Sequence, residues 1–222
     1  MDWLPNHEDL VPEFGERFSQ YYSHVKAFHG CRPESLSTYY AHGLLGQDGE
    51  RIKSAFRKIF ADVDASDLNR AIERMERRDG SERGRIWFTA DDRRMMEEFG
   101  HYAIHGSEYL LALAANLTVA NSSEDFRLRL RKVGVPTVLE VNIPMAHVPH
   151  FNRMEVARMI LSEWGQLVTR QPLGMGSAPC YVVHDDIPPE CIKAHYHPQR
   201  IRDFHGFSSM YINHTIECEM CS

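Results

Sequence analysis

Three segments of the 222-residue chain contain side chains whose types and spacing could do chemistry. The first is His29-Gly30-Cys31-Arg32, which follows a short apolar run. A glycine there lets the backbone approach a ligand, and a histidine with an arginine can bind polar oxygens or a pyrophosphate. These four residues alone are more typical of a turn whose histidine is satisfied by its neighbours.

The second segment contains His101, His105 and Glu108. On one continuous helix they stand at i, i+4 and i+7, which places three potential metal ligands on one face and suggests a metal-dependent hydrolase. The glutamate that follows the first histidine in the metalloprotease helix is absent. The alternative is that these polar side chains face a cleft that holds no metal. Partial burial of Glu108 would then shift its pKa and make its hydrogen bonding useful for function.

The third segment is the C-terminal part of the chain, which is rich in histidine and cysteine. Cys218 and Cys221 form a C-x-x-C pair, which is half of a zinc site. Residues that could complete it are His195, His197, His214 and Cys191. An exposed tail explains the pair more simply, so zinc is not favoured. His184, Asp185, Asp186 and His205 lie in the same part of the chain, and nothing in their spacing selects a role.

Composition limits the class of protein. A hydrophobic content of 43% with 25% charged residues fits a single domain, 1–222, and the net charge of −6 argues against indiscriminate nucleic-acid binding. An acidic amino terminus and no apolar run of about 18 residues predict a cytoplasmic protein without a membrane span. Five cysteines, an odd number, do not indicate a disulfide framework, and Cys31 and Cys180 are expected to be buried hydrophobes.

The elements that must position these residues follow from periodicity and capping signals. Predicted strands lie at 25–31, 85–90, 137–143 and 180–183. Predicted helices cover 7–22, 33–42 (closed by Gly43), 49–60, 66–78 (opened by Ser66 and closed near Gly80), 91–117, 123–132 and 152–169, with a glycine-rich loop at 173–177 and a turn into a short helix at 187–192. The tail beyond 198 has weak signals. The sum is a mixed α+β domain.

The order of these pieces resembles the NAD-consuming ADP-ribosyltransferase superfamily, which includes the poly-ADP-ribose polymerase-like enzymes and bacterial toxins and defence proteins. The resemblance rests on a strand ending in His29-Gly30, a helix followed by Gly43-Leu44, the strand Ile86-Trp87-Phe88-Thr89, and a late strand followed by Pro188-Pro189-Glu190. It covers about 24–194, with 195–222 as an extension. It implies a split β-sheet core decorated with helices.

The resemblance also implies roles for particular residues. His29 and Gly30 would hold the nicotinamide ribose of NAD, Arg32 the phosphates, and Thr89 or Phe88 with Tyr102 the nicotinamide ring pocket. The catalytic carboxylate would be Glu108, with Glu140 as the second choice, because the superfamily's late-strand glutamate has no counterpart around Cys180.

Three functions remain open at this point. The first is an NAD-dependent ADP-ribosyltransferase that modifies a protein or nucleic acid, as a toxin or phage-defence effector with an antitoxin or regulatory partner. The second is a non-catalytic protein that binds NAD, another nucleotide or a partner with a degenerate transferase fold. The third is the metal-dependent hydrolase. P-loop, dinucleotide G-x-G-x-x-G, nucleophile-elbow and kinase motifs are absent from the sequence, which disfavours ATP-dependent and Rossmann-type chemistry.

Overall fold

Strand β1 (His24–Cys31) lies at the centre of a five-stranded antiparallel sheet, whose order is β4-β2-β1-β3-β5. The other strands are β2 (Ile86–Thr89), β3 (Thr137–Pro144), β4 (Cys180–Val183) and β5 (Ile192–Tyr196). Strands β1 to β4 confirm the four strands predicted from the sequence. Because β1 pairs with both β2 and β3, the His29-Gly30 pair lies in the middle of the sheet and not at its edge.

This computed structural model describes residues 7–75, 83–170, 179–206 and 209–221. Together with the sheet, the helices make a mixed α/β single domain, which is the architecture predicted at the level of fold class. The helices are α1 (His7–Tyr21), α2 (Ser37–His42), α3 (Gly49–Ile59), α4 (Ala65–Glu73), α5 (Asp92–Glu97), α6 (His101–His105), α7 (Glu108–Ala120), α8 (Arg127–Leu130) and α9 (His150–Thr169). No helix in the described ranges is long and apolar enough to cross a bilayer.

Two apolar cores stabilise these elements. Alternate β1 residues such as Val25 and Ala27 are buried with their β3 neighbours Val141 and Ile143, and Val156 of α9 belongs to the same core. A second core surrounds the apolar helix α7 and contains aromatic and aliphatic side chains of α3, α4 and the α8 region. Burying such side chains contributes about 1.5–3 kcal/mol each. The first core also contains Ile86 and Phe88 of β2, so it holds the β1–β2 region in place.

The continuous helix predicted over 91–117 does not form, because the chain makes three separate helices, α5, α6 and α7, there instead. Helix α6 ends at Gly106, whose φ of 93° lies in the left-handed region that favours glycine. Ser107 then starts α7 by accepting a hydrogen bond from the amide of Leu110. His101 and Glu108 therefore belong to different helices, and the single helical face expected for His101, His105 and Glu108 does not form.

Several other boundaries differ from the prediction. Helix α2 begins at Ser37 rather than at Pro33, and Asp64 rather than Ser66 caps α4, since its carboxylate accepts from the Ser66 amide. The helix predicted over 123–132 is reduced to the four residues of α8. The predicted glycine-rich loop at 173–177, the end of the predicted 66–78 helix and Gly80 lie outside the described residues.

The C-terminal segment contains more structure than its weak signals indicated. β5 pairs with β3 and extends the main sheet to Tyr196, beyond the predicted end of the core at 194. β6 (Arg200–Asp203) and β7 (Ser209–Ile212) form a separate antiparallel pair. Exposed and buried residues alternate over only the four residues of β6, which is too short a pattern to indicate a strand in the sequence.

Candidate functional site

A cleft next to the β1–β2 pair contains most of the residues predicted to bind NAD. Its inner part is a cavity of about 220 Å³ with largely apolar walls. The lining residues are Gly30, Trp87, Phe88, Thr89, Met95, Phe99, His101, Tyr102, Glu108 and Cys180. Gly30, the adjacent Phe88 and Thr89, and the nearby pair Tyr102 and Glu108 come from three segments of the sequence, and the fold brings them together in this cavity.

A second cavity of about 480 Å³ adjoins the first, since Trp87 and Tyr102 line both. His29 and Arg32 line the second cavity, together with Arg51 and Arg85. The cleft therefore has an apolar end and an end where arginines are concentrated. Its total size lies in the range of about 300–1,000 Å³ that is typical of small-molecule and cofactor sites.

His29 is fixed by the neighbouring strand. Its Nδ1 atom lies 2.8 Å from the carbonyl oxygen of Trp87. A carbonyl can only accept, so Nδ1 carries the proton and donates, and Nε2 is left as an acceptor. Burial lowers the pKa of His29, although this hydrogen bond acts in the opposite direction. A neutral His29 with a defined tautomer can accept a hydroxyl hydrogen bond.

Gly30 is required by the close approach of two helices. A Cβ atom at this position would lie 2.8 Å from Met95 Sδ and 3.2 Å from Tyr102 Cβ. The first distance is shorter than normal van der Waals contact, so a larger residue would displace Met95 and narrow the inner cavity. Gly30 thus keeps the cavity open beside the backbone of β1.

Arg32 is held by main-chain oxygens. Its Nε donates to the carbonyl of Val133 at 2.8 Å, and another nitrogen contacts the carbonyl of Arg131. A third nitrogen lies 3.5 Å from the Tyr211 hydroxyl. Burial is the main factor that lowers the pKa of Arg32. Arg32 lines the cleft, but these bonds leave few of its donors for a phosphate, and its predicted role stays a prediction.

Glu108 stands at the mouth of the inner cavity as the first residue of α7. The hydroxyl of Tyr102 donates to Glu108 Oε2 at 3.4 Å, a long hydrogen bond. Thr89 is buried at the floor, and its hydroxyl donates to the carbonyl of Asp91 at 2.9 Å. A carboxylate and a phenol therefore meet at the entrance, where a ligand hydroxyl could replace their weak mutual contact.

Glu140, the second choice for a catalytic carboxylate, lies on β3 outside the two cavities and forms an ion pair there. It stands opposite Phe28 in the β1–β3 pair, and its carboxylate lies 2.8 Å from the Nζ atom of Lys26. At the start of the late strand β4, Pro179 and Cys180 occupy the region where the resemblance leads one to expect a glutamate. Of the two candidate carboxylates, Glu108 is thus the one that lines the cleft, and it lies in the inner cavity.

The two histidines proposed for a hydrolase site differ in how deeply they are buried in the protein. His101 lines the inner cavity, whereas His105 is buried, with Asp203 and His205 as neighbours. Burial is the main factor that lowers the pKa of His101 to about 4 and that of His105 to about 3. The proposed hydrolase triad therefore loses the shared helical face on which it depended.

Among the described residues, the group whose donor atoms lie close enough to share an ion consists of His195, His197, Cys218 and Cys221. These four residues are among the six zinc-ligand candidates expected from the sequence, whereas the other two, Cys191 and His214, do not belong to the group.

Four lining residues were missed from the sequence, namely Trp87, Met95, Phe99 and Cys180. Strand alternation was the available signal for Trp87, because it lies two residues before Thr89 and so on the same face of β2. The positions of Met95 and Phe99 depend on where α5 packs, which periodicity does not specify.

No family model, curated protein or solved structure matches the chain. The chemistry of the cleft must therefore be inferred from its own residues.

Proposed function

We propose that the cleft binds NAD and that the protein transfers ADP-ribose from it to a macromolecule. The observation that carries the proposal is the meeting of Gly30, Thr89, Tyr102 and Glu108 in one apolar cavity. That cavity adjoins a larger one, which His29 and Arg32 line. This division suits a ligand with a flat aromatic ring at one end and phosphates in the middle.

The apolar end suits the nicotinamide ring. Trp87 and Tyr102 offer aromatic surfaces, and Gly30 leaves room for the ring amide to approach the β1 backbone. Aromatic stacking adds about 0.5–1.5 kcal/mol beyond the burial of apolar area. Phosphates would then lie in the larger cavity, where arginines attract their charge.

Glu108 would stabilise the transition state of the transfer. The bond between ribose C1′ and the nicotinamide nitrogen breaks, and its electron pair leaves with neutral nicotinamide, so the ribose acquires oxocarbenium character. A carboxylate that accepts a hydrogen bond from the ribose 2′-hydroxyl stabilises this positive charge. A lone pair of the acceptor then forms the new bond to C1′, and the acceptor's proton passes to water.

The experiment is incubation of the purified protein with labelled NAD and extract from cells, with nicotinamide release and labelled macromolecules as the readouts. Digestion with protease or nuclease identifies the class of acceptor. Release of nicotinamide together with transfer of label is the expected result.

Calorimetric NAD binding with neither product would instead establish the second candidate, a non-catalytic NAD-binding protein. The absence of a late-strand glutamate beside Cys180 is the observation that favours this candidate. No binding at all would overturn both.

A further inference from the structure

Four donor side chains converge beside the outer strand β5. His195 and His197 lie at its end, and Cys218 and Cys221 come from the tail, and all four donor atoms lie within 4.8 Å of one another. Nε2 of His195 lies 3.7 Å from Cys218 Sγ and 3.5 Å from Cys221 Sγ, and the two sulfurs are 3.6 Å apart. The group combines soft thiolates with imidazoles.

The three distances among His195, Cys218 and Cys221 match those around a tetrahedral zinc ion. With Zn–S of about 2.3 Å and Zn–N of about 2.0–2.1 Å, tetrahedral angles place two sulfurs about 3.8 Å apart and a sulfur and a nitrogen about 3.6 Å apart. Cys₂His₂ is also a ligand set that structural zinc sites use, and a C-x-x-C knuckle is a usual source of two ligands.

His197 provides an independent indication of a ligand. The residue is 8% exposed, and its Nδ1 lies 3.0 Å from the carbonyl oxygen of Pro136 and 3.1 Å from the Thr137 hydroxyl. Because the carbonyl only accepts, Nδ1 carries the proton and Nε2 has a free lone pair. That buried Nε2 has no hydrogen-bond partner among the described residues. An unpaired buried acceptor destabilises the fold unless something binds it.

His195 is oriented in the manner of a metal ligand. Its Nδ1 lies 2.8 Å from the hydroxyl of Tyr40, which leaves Nε2 directed at the two sulfurs. Metal-binding histidines almost always use their second nitrogen in such a hydrogen bond, because it fixes the tautomer and the ring orientation. Both histidines therefore have the partner that a zinc site requires outside its ligands.

We infer that His195, His197, Cys218 and Cys221 bind a structural zinc ion. All four ligands come from the protein, so the site is closed and leaves no position for a substrate. The ion would fix the tail to β5 and to the segment before α2, where the Glu219 carboxylate accepts from Ser35 Oγ at 2.9 Å and from the Leu36 amide at 3.2 Å. This inference does not depend on the NAD proposal.

Elemental analysis of protein purified under reducing conditions without chelator tests the site. About one zinc per chain is expected. His197→Gln and Cys221→Ser are expected to contain less than about a tenth of that amount. The matched controls Cys180→Ser and His214→Gln change the same residue types outside the group and should retain the metal.

A second measurement does not require stable variants. Wild-type protein loaded with Co²⁺ in place of zinc should show thiolate-to-cobalt charge-transfer absorption and the visible bands of tetrahedral Co²⁺. Wild-type protein that contains no metal and takes up neither ion would overturn the inference. So would full zinc content in a Cys218→Ser, Cys221→Ser double variant, or a Cys218–Cys221 disulfide in the reduced preparation.

Discussion

The Nε2 atom of His105 lies 4.0 Å from Oδ1 of Asp203, and both side chains are at most 1% exposed. Asp203 Oδ2 is paired with Arg131 at 2.5 Å, and Oδ1 accepts from the backbone amides of His205 and Gly206. Arg131 and these two amides therefore compensate the negative charge of the Asp203 carboxylate, which leaves little of it to stabilise a protonated His105. Burial first, and then Arg131, lower the pKa of His105 to about 3, so the ring is neutral in the folded protein.

This buried histidine predicts a loss of stability in mild acid. The unfolded chain protonates His105 near its ordinary pKa of about 6.5, whereas the folded protein resists protonation until about pH 3. The unfolded state therefore binds more protons in this window. The free energy of unfolding should fall as the pH drops below about 6.5, by up to about 1.4 kcal/mol per pH unit for this residue.

Urea unfolding between pH 7 and pH 4.5 measures this dependence. His101, whose pKa burial lowers to about 4, adds to the slope in the same direction. His105→Phe removes one of the histidines whose pKa burial lowers and should reduce the slope, while His150→Phe, at an exposed histidine, should not. An unchanged slope in His105→Phe would contradict the prediction.

Arg131→Gln should destabilise the protein strongly, because it leaves the buried Asp203 carboxylate without its cation. Breaking a buried ion pair from one side costs about 3–5 kcal/mol, and the two amide bonds to Asp203 favour the lower end of this range. Arg127→Gln breaks a more exposed pair with Asp125 and should cost about 0–1 kcal/mol. Equal losses of unfolding free energy for the two variants would show that the Asp203 pair has no special role.

The parts of this architecture that the sequence predicted are those set by local patterns. The strand ending in His29-Gly30 and the strand at 137–143 follow from apolar runs bounded by turn residues. The break after His105 depends instead on Gly106 taking a left-handed conformation, and a glycine inside an apolar helical pattern is consistent with either outcome. The prediction of one long helix failed there for this reason.

The candidate sites depend even more on long-range packing. Glu108 and Thr89 were named as candidates from the sequence, and they share a cavity because α5 and α6 pack on the β1–β2 pair and α7 packs on α6. The His195-to-Cys221 group needs β5 to join β3, a pairing of short strands that carries little signal in the sequence. The sequence therefore supplies six residues of suitable types, and the tertiary structure brings four of them together.

Glu108→Gln should abolish most of the proposed transfer while NAD binding persists, because the amide keeps the shape of the side chain but loses its charge. Removal of one stabilising electrostatic contact in a transition state costs about 100-fold in kcat or more. Glu140→Gln is the matched control, since Glu140 pairs with Lys26 outside the cleft, and it should retain wild-type turnover. Nicotinamide release under saturating NAD measures both, and the opposite pattern would assign the carboxylate role to Glu140.

Trp87 should report ligand binding by fluorescence, because it lines both cavities and a nicotinamide or adenine ring would stack near its indole. The chain has three tryptophans, and replacing Trp3 and Trp164 by phenylalanine isolates the signal. Saturable quenching by NAD is the expected result. Adding Gly30→Val to this background should remove the quenching, because the branched side chain would fill the space beside Met95 and Tyr102. Quenching that survives Gly30→Val with the same midpoint would place the ligand outside the inner cavity, since that cavity would no longer have room for its ring.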